Sequence, residues 1–415
     1  MEVIYSAAHA EFPDSEPLGG GKAVADYLIR EWQNRQPFAL RVLSPRGLRG
    51  VAAVLRTAEE GHGAERRFTE APLHQMSELQ YARFCREFER TVTARILEHA
   101  SASCVVLSND VSEGPDFRVL GEHGYRIVTI FHVDVVEYFT RFYLRGWLKP
   151  QTAARWLDQP WMPDVLRLVF EKQRECVRHS ARIVVPSSPM KEMILRCYPW
   201  CEPGKIAVLP WGNVAEMGKW KDGRLEGWRN AGPGIENQTD RPLFQSSSLP
   251  VFQADEFVIM TLSRLSPEKG IERLLRALPL VRGKCRVLIC GAPAYMKGRR
   301  YERKLRRMAN GRVEFLGHVT GQRKAALLQR ADLFVSPSLH ESYGLAIAEA
   351  EAAGCRIISH NHYGASGTVV DCGDRRALAD AINRMIAAGR TRKEPRPVSS
   401  STAAEKLAEL LVSLA

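Results

Sequence analysis

The chain has 415 residues, room for two or three domains, and 45% hydrophobic with 26% charged residues is an ordinary soluble composition. That balance excludes whole-chain disorder, collagen-like repeats and coiled coil. The net charge of +12 is uneven: residues 1–250 carry 32 basic and 31 acidic side chains, and residues 251–415 carry 27 and 16, so +11 lies in the C-terminal part. A basic field of this kind attracts phosphates, polyanions or anionic lipid; simple solubility is the plainer reading.

The first dozen residues lack the basic and apolar regions of a secretory signal, and no run of 18 apolar residues predicts a transmembrane helix. Nine cysteines (85, 104, 176, 197, 201, 285, 290, 355, 372) are scattered without a CxxC pair. They predict a reduced, cytoplasmic chain without disulfide framework or structural zinc.

Along the chain, short β-branched runs alternate with longer amphipathic segments. Strands are predicted at 2–7, 39–44, 103–108, 126–132, 182–186 and 205–210, then at 257–262, 286–290, 312–316, 332–337 and 355–359. Apolar residues on successive positions, as at 105–107 and 183–185, mark strands covered on both faces. Helices are predicted at 21–35, 190–197, 271–280, 301–309, 323–330 and 345–353. The strand–helix rhythm occurs twice, which predicts α/β architecture with two Rossmann-like doubly wound domains. Residues 1–213 form the first and 251–398 the second. Residues 214–250 form an irregular linker, rich in Gly, Pro, Ser and Asn after residue 230. Residues 399–415 form a C-terminal helix returning toward the first domain, with a polar stretch at 390–401 before it.

Four features carry chemistry or an interface. Leu18-Gly19-Gly20-Gly21-Lys22 follows the first strand; glycines there allow close backbone approach, and a helix N-terminus behind them favours phosphate. The pattern is neither GxGxxG nor a P-loop, and a plain strand–helix turn is an equal reading. Residues 138–170 mix aromatics with arginines (Trp147, Trp156, Trp161 and Arg167 among them). Two readings stand: a membrane-interface surface, or aromatics packed inside and lining an acceptor cleft. Ser263-Arg264 through Lys269-Gly270 occupies the carboxyl end of the second domain's first strand, where Arg264 and Lys269 can converge on a diphosphate. Glu341-Ser342-Tyr343-Gly344-Leu345 opens a helix that carries Glu349. At 1.5 Å rise per residue the two carboxylates reach opposite ends of one extended ligand; a solvent-facing Glu349 is the alternative. The basic stretch 297–312 has no nucleic-acid reader motif and reads as a solvated helix face.

Arg264 with Lys269-Gly270, then Phe315-Leu316-Gly317-His318-Val319, then Glu341 and Glu349 seven residues apart around Tyr343-Gly344-Leu345, resembles glycosyltransferase family four. The resemblance is strongest over residues 257–360. It implies the GT-B fold, with two Rossmann-like domains facing across a cleft, and retaining transfer of a hexose-type sugar from a nucleotide-diphosphate sugar, UDP- or GDP-linked, to an acceptor hydroxyl. It assigns Arg264 and Lys269 to the diphosphate, Glu341 to the donor sugar and Glu349 to the ribose. Gly344 and Leu345 take the distal phosphate, Val319 the base edge, and Gly20 and Gly21 the phosphates from the opposite domain. Gly291 and Tyr343 complete the donor site. His132 would stand near the transferred sugar as a catalytic residue with Glu341, Lys269 and Arg264; a structural histidine is the alternative. No metal or other cofactor is implied, since no Asp-x-Asp motif is present. The expected partners are the donor, a glycan, lipid-linked or small-molecule acceptor and an anionic membrane, without nucleic acid. Ser263 stands where Gly is usual and Tyr343 where Phe is commoner. Residues 360–374 lack the family's Gly-rich turn with its carboxylate. A catalytically silent nucleotide-sugar-binding protein is the rival reading.

Overall fold

A computed structural model describes residues 1–12, 18–45, 48, 73, 76–157, 164–212, 220–221, 224–225, 250, 252–253, 255–294, 298–391 and 401–414. Two six-stranded sheets, all parallel, dominate it. The first contains β1 (Glu2–Ser6), β2 (Ala39–Leu43), β3 (Cys104–Ser108), β4 (Arg126–Ile130), β5 (Arg182–Val185) and β6 (Ile206–Val208), in spatial order β2-β1-β3-β4-β5-β6. A two-stranded antiparallel pair, β7 (Trp220–Lys221) and β8 (Arg224–Leu225), lies within the segment read as irregular linker; the rest of residues 214–249 lies outside the described residues. The second sheet contains β9 (Phe257–Leu262), β10 (Cys285–Cys290), β11 (Val313–Gly317), β12 (Leu333–Ser336), β13 (Arg356–Ser359) and β14 (Thr368–Val369), in order β11-β10-β9-β12-β13-β14.

The side-chain alternation of a strand explains why both sheets need cover on two faces. Ile4, Val106, Ile127 and Ile183 enter one core while Val3, Tyr5, Val105, Leu107 and Val128 enter another. In the second sheet, Ile259, Val287 and Val335 face one side and Val258, Leu288 and Phe334 the other. Helices supply the cover. In the first domain they are α1 (Gly20–Arg35), α2 (Glu78–Leu97), α3 (Phe117–Glu122), α4 (Val135–Phe142), α5 (Pro150–Trp156), α6 (Asp164–His179) and α7 (Ser188–Cys197). In the second they are α8 (Ile271–Ala277), α9 (Gly298–Met308), α10 (Gly321–Arg330), α11 (Leu345–Ala352) and α12 (Arg375–Ala387).

Helix α2 shows how such a helix forms. Ser77 and Gln80 make a reciprocal capping box at its start. Phe84, Phe88, Val92 and Ile96, four residues apart, form its buried stripe. The predicted helix 271–280 stops at Ala277 and tightens into a 3₁₀ turn, Leu278–Leu280, because Pro279 offers no N–H to continue the ladder. The predicted strand 126–132 ends at Ile130, which leaves His132 in the loop at the sheet's carboxyl edge.

The last helix, α13 (Ser401–Val412), returns to the first domain as expected. Its Ala404, Leu407 and Leu411 share a core with Val24, Leu28 and Trp32 of α1, and the Trp32 indole donates to the Ala404 carbonyl at 3.1 Å. All nine cysteines are buried and free. Among the described residues no helix is long and apolar enough to cross a membrane.

Candidate active site

In a doubly wound sheet the connections after neighbouring strands leave in opposite directions at one point and open a crevice there. The first sheet has that point between β1 and β3, the second between β9 and β12. The two crevices face one another across a cleft of about 800 Å³ lined by both domains.

The first-domain wall is the glycine loop and what lies under it. Gly19, at φ 93, starts α1 and lies against Arg264 of the other domain: a Cβ there would sit 3.6 Å from its Nε. Gly20 lies against Leu345, with 3.1 Å from a Cβ position to Cδ1, and Gly21 covers the ring of His132 at 3.5 Å. The missing side chains therefore let the backbone of one domain approach the other. His132 Nε2 is 3.3 Å from Asn109 Oδ1, and its ring centroid is 5.9 Å from that of Trp211. Asn109 itself donates to the Gly21 carbonyl at 3.2 Å. Burial, and then the neighbouring His9, push the His132 imidazolium down to about 3, so the ring is neutral at any physiological pH. Deeper in this wall His9 meets the Tyr81 hydroxyl at 3.1 Å, and Tyr81 donates to Glu113. Burial and the nearby Glu113 hold the Asp110 carboxyl well above the usual range.

The second-domain wall is built from the loops after β9 and β12. Lys269 Nζ donates to Glu341 Oε1 at 2.7 Å, and Ser338 Oγ donates to the same oxygen at 2.8 Å. Burial pushes the Glu341 carboxyl up. The Lys269 charge and hydrogen bond, His362 and the Ser338 bond outweigh it and hold the group at about 2, permanently ionised. Arg264 lines the cleft with Nη2 3.6 Å from Glu268 Oε1. Glu349 faces the cleft, not solvent: its side chain is 10% exposed and Lys324 Nζ lies 3.0 Å from Oε1.

Gly344, at φ 81, caps α11. This left-handed residue starts the helix at the cleft, which Tyr343, Gly344, Leu345 and Ala346 line. Gly291, at φ 146, is forced: a Cβ there would fall 1.8 Å from the Ser263 carbonyl oxygen. Val319 is buried on the same wall.

The structure thus brings every predicted site residue into one cleft. It also holds the domains together by hydrogen bonds that no spacing announced. The Gly212 N–H donates to Tyr343 Oη at 2.8 Å, Ser187 Oγ to the Ser342 carbonyl at 3.1 Å, and Tyr363 Oη to Glu137 Oε1 at 2.9 Å. His9, Asn109, Trp211, Ser338, His340 and Lys324 were missed as well. Asn109 and Ser338 had one legible signal, a polar residue just past a predicted strand. Lys324 and His9 had none, since their partners are distant in sequence.

The aromatic segment after residue 138 divides. Tyr138, Phe139 and Tyr143 line the cleft, and Phe139 packs edge-on against Phe170 at 5.6 Å. Trp147 and Trp156 are 86% and 68% exposed. Trp161, the Arg167 side chain and residues 392–400 of the polar stretch lie outside the described residues.

Residues 256–388 match the family model of Glycosyl transferases group 1. Over 111 residues the chain is 36% identical to an uncharacterized glycosyltransferase of Methanocaldococcus jannaschii, covering 26% of this chain and 27% of that one. Over 134 residues it is 36% identical to the phosphatidyl-myo-inositol mannosyltransferase of Mycobacterium leprae, covering 29% and 34%. The chain therefore spans about a third or less of the length of these two relatives. Among solved structures it resembles Anabaena HepE in complex with UDP and glucose over the full length of both chains, with TM-score 0.59 and 16% identity. It resembles sucrose-phosphate synthase from Thermosynechococcus elongatus over 99% of this chain and 94% of that one, with TM-score 0.61 and 17% identity. The fold is the GT-B architecture. The identity to these relatives is confined to partial alignments, while the likeness of fold covers both domains.

Proposed function

We propose that this chain is a glycosyltransferase. It moves a hexose-type sugar from a nucleotide-diphosphate donor to an acceptor hydroxyl with retention of anomeric configuration. One observation carries the reading: Lys269, Arg264 and the N-terminus of α11 converge with Glu341 and Glu349 on one wall of a two-domain cleft, opposite Gly19–Gly21 and His132.

The chemistry asks for this arrangement. Breaking the anomeric C–O bond leaves charge on the nucleoside diphosphate, and fixed cations and helix N–H groups stabilise that charge in a site shielded from water. Arg264 and Lys269 would supply the charge that transferases of other designs take from a divalent cation. Glu341 stays ionised and would face the donor sugar near the reacting carbon, accepting hydrogen bonds from its hydroxyls. Glu349, further along α11 and lining the same cleft, would take the ribose hydroxyls. The acceptor oxygen forms the new bond on the face the leaving group vacates, and its proton passes to the departing phosphate oxygen. Neutral His132 acts as a hydrogen-bonding group toward the sugar. Closure of the domains excludes water, which would otherwise hydrolyse the donor.

The HepE complex with UDP and glucose supports a nucleotide-sugar donor, and the mannosyltransferase of Mycobacterium leprae supports transfer of a hexose. The test is a thermal-shift screen of UDP-, GDP- and ADP-sugars followed by donor turnover. A true donor at about 100 times its dissociation constant adds ~2.7 kcal/mol. Lys269→Ala and Glu341→Gln should each cut kcat by about 10²–10³-fold. Unchanged turnover in both variants overturns the site. A donor that binds and is never consumed with any acceptor makes the chain a binding protein instead.

A further inference from the structure

The first domain is nearly neutral, yet residues 143–156 contain Arg145, Lys149 and Arg155 and no Asp or Glu. The same fourteen residues expose Tyr143 at 43%, Trp147 at 86% and Trp156 at 68%. Elsewhere in this domain Trp32 and Trp211 are buried and Trp200 is half exposed, under the Arg178 guanidinium, so the 143–156 segment is where two indoles are exposed together. Exposing two indoles costs the fold burial energy unless another surface covers them.

The backbone presents them deliberately. Arg145 adopts φ 51 and Gly146 φ 73, and the turn is closed by hydrogen bonds from Gly146 N to the Thr140 carbonyl at 2.9 Å and from Trp147 N to the Leu144 carbonyl at 2.9 Å. Leu148 and Leu157 anchor the segment on the core, while α5 starts at Pro150 and leaves Arg155 and Trp156 outside. Helices α4 and α5 pack on one another, so the turn and both indoles belong to one projecting corner. The corner is continuous with the cleft: Tyr143 lines it and stacks on Phe139 at 5.0 Å.

We propose that this corner is a docking surface for an anionic lipid bilayer. The chemistry matches on two counts. Indoles partition to the interface between headgroups and acyl chains, and cations on the same face are drawn to anionic headgroups. Together they give the two signals that stable peripheral attachment needs. Docked there, the acceptor side of the cleft opens toward the membrane, so the acceptor is lipid-linked. That last step rests on the transferase reading; attachment itself does not.

The test is co-sedimentation of the full chain, without donor, with phosphatidylcholine vesicles and with vesicles containing 30% phosphatidylserine, roughly the anionic content at which surface potentials become strong. Pelleting should need the anionic lipid and weaken several-fold when salt is raised to about 0.5 M. Trp147→Ser with Trp156→Ser should cut it about tenfold or more, and Arg145→Gln with Lys149→Gln and Arg155→Gln should abolish the preference for anionic lipid. These side chains are exposed, so unchanged melting temperatures show the variants folded. Equal pelleting with both vesicle types, or no effect of either variant set, overturns the proposal. So does binding to a polyanion such as heparin that follows the charges and ignores the tryptophans, since that marks an acidic macromolecule as partner. Donor-induced thermal shift on membrane-free protein reads the transferase proposal separately, so either can fail alone.

Discussion

Lys269 and Glu341 are 72 residues apart and meet at 2.7 Å. Each explains the other: a largely covered lysine needs a carboxylate, and the carboxylate stays ionised because the lysine, then His362 and Ser338, outweigh its desolvation. Their place at the carboxyl edge of the sheet was legible in the sequence because each follows a predicted β-strand. Their pairing was not, since register between β9 and β12 is set by packing. Gly291 is the sharpest case at this scale. Its φ of 146 and the 1.8 Å from a Cβ position to the Ser263 carbonyl leave no room for a side chain. Gly291→Ala should destabilise the second domain by roughly 2–4 kcal/mol, because backbone, not a flexible side chain, has to move. Urea unfolding checks this; a midpoint unchanged from wild type means the Ser263–Gly291 contact is looser than described.

At the scale of elements, helix α4 joins the domains through Glu137, which accepts from Tyr363 on the loop after β13. Burial, and then Asp134, raise the Glu137 carboxyl to about 7 against the opposing effects of the Tyr363 bond and Arg141. The folded protein thus binds this proton more tightly than the unfolded chain. Its contribution is fully present below the ordinary value of 4.5 and is lost as pH rises through 7. Glu137→Gln, which mimics the neutral form, should gain melting temperature relative to wild type as pH rises from 5 to 8; a pH-independent difference means that Glu137 titrates as a free carboxyl. The buried histidines work oppositely. Burial pushes His132 to about 3 and His340 and His362 to about 4, so their contribution is present above 6.5 and lost as pH falls through those values. Element type was legible wherever the apolar period was strong. Helix α2 is hard to read from sequence although its stripe at 84, 88, 92 and 96 repeats every fourth residue, because charged residues around it dilute the pattern.

At the scale of the whole molecule, α13 lies at the end of the chain and belongs energetically to its beginning. Leu407 is fully buried beside Trp32 and Leu28. Leu407→Ala should cost about 2–4 kcal/mol, and hydrogen exchange should show the loss in α1, with the amides of β10 unchanged. Equal loosening of both would mean the two domains unfold as one unit. The described residues of this helix pack on the first domain and do not line the cleft.

The sequence by itself determined the two doubly wound units and the glycine, Arg/Lys and Glu/Glu motifs, because periodicity and turn chemistry are local. It placed the basic excess in the second domain. Only the tertiary structure decided which residues face one another across the cleft: Gly19 against Arg264, Gly20 against Leu345, Gly212 against Tyr343. It also divided the aromatic segment, with Tyr138 and Phe139 turned to the cleft and Trp147 and Trp156 to the outside. The physical reason is common to both: contacts between residues remote in sequence depend on how sheets and helices pack, and no local pattern records that packing.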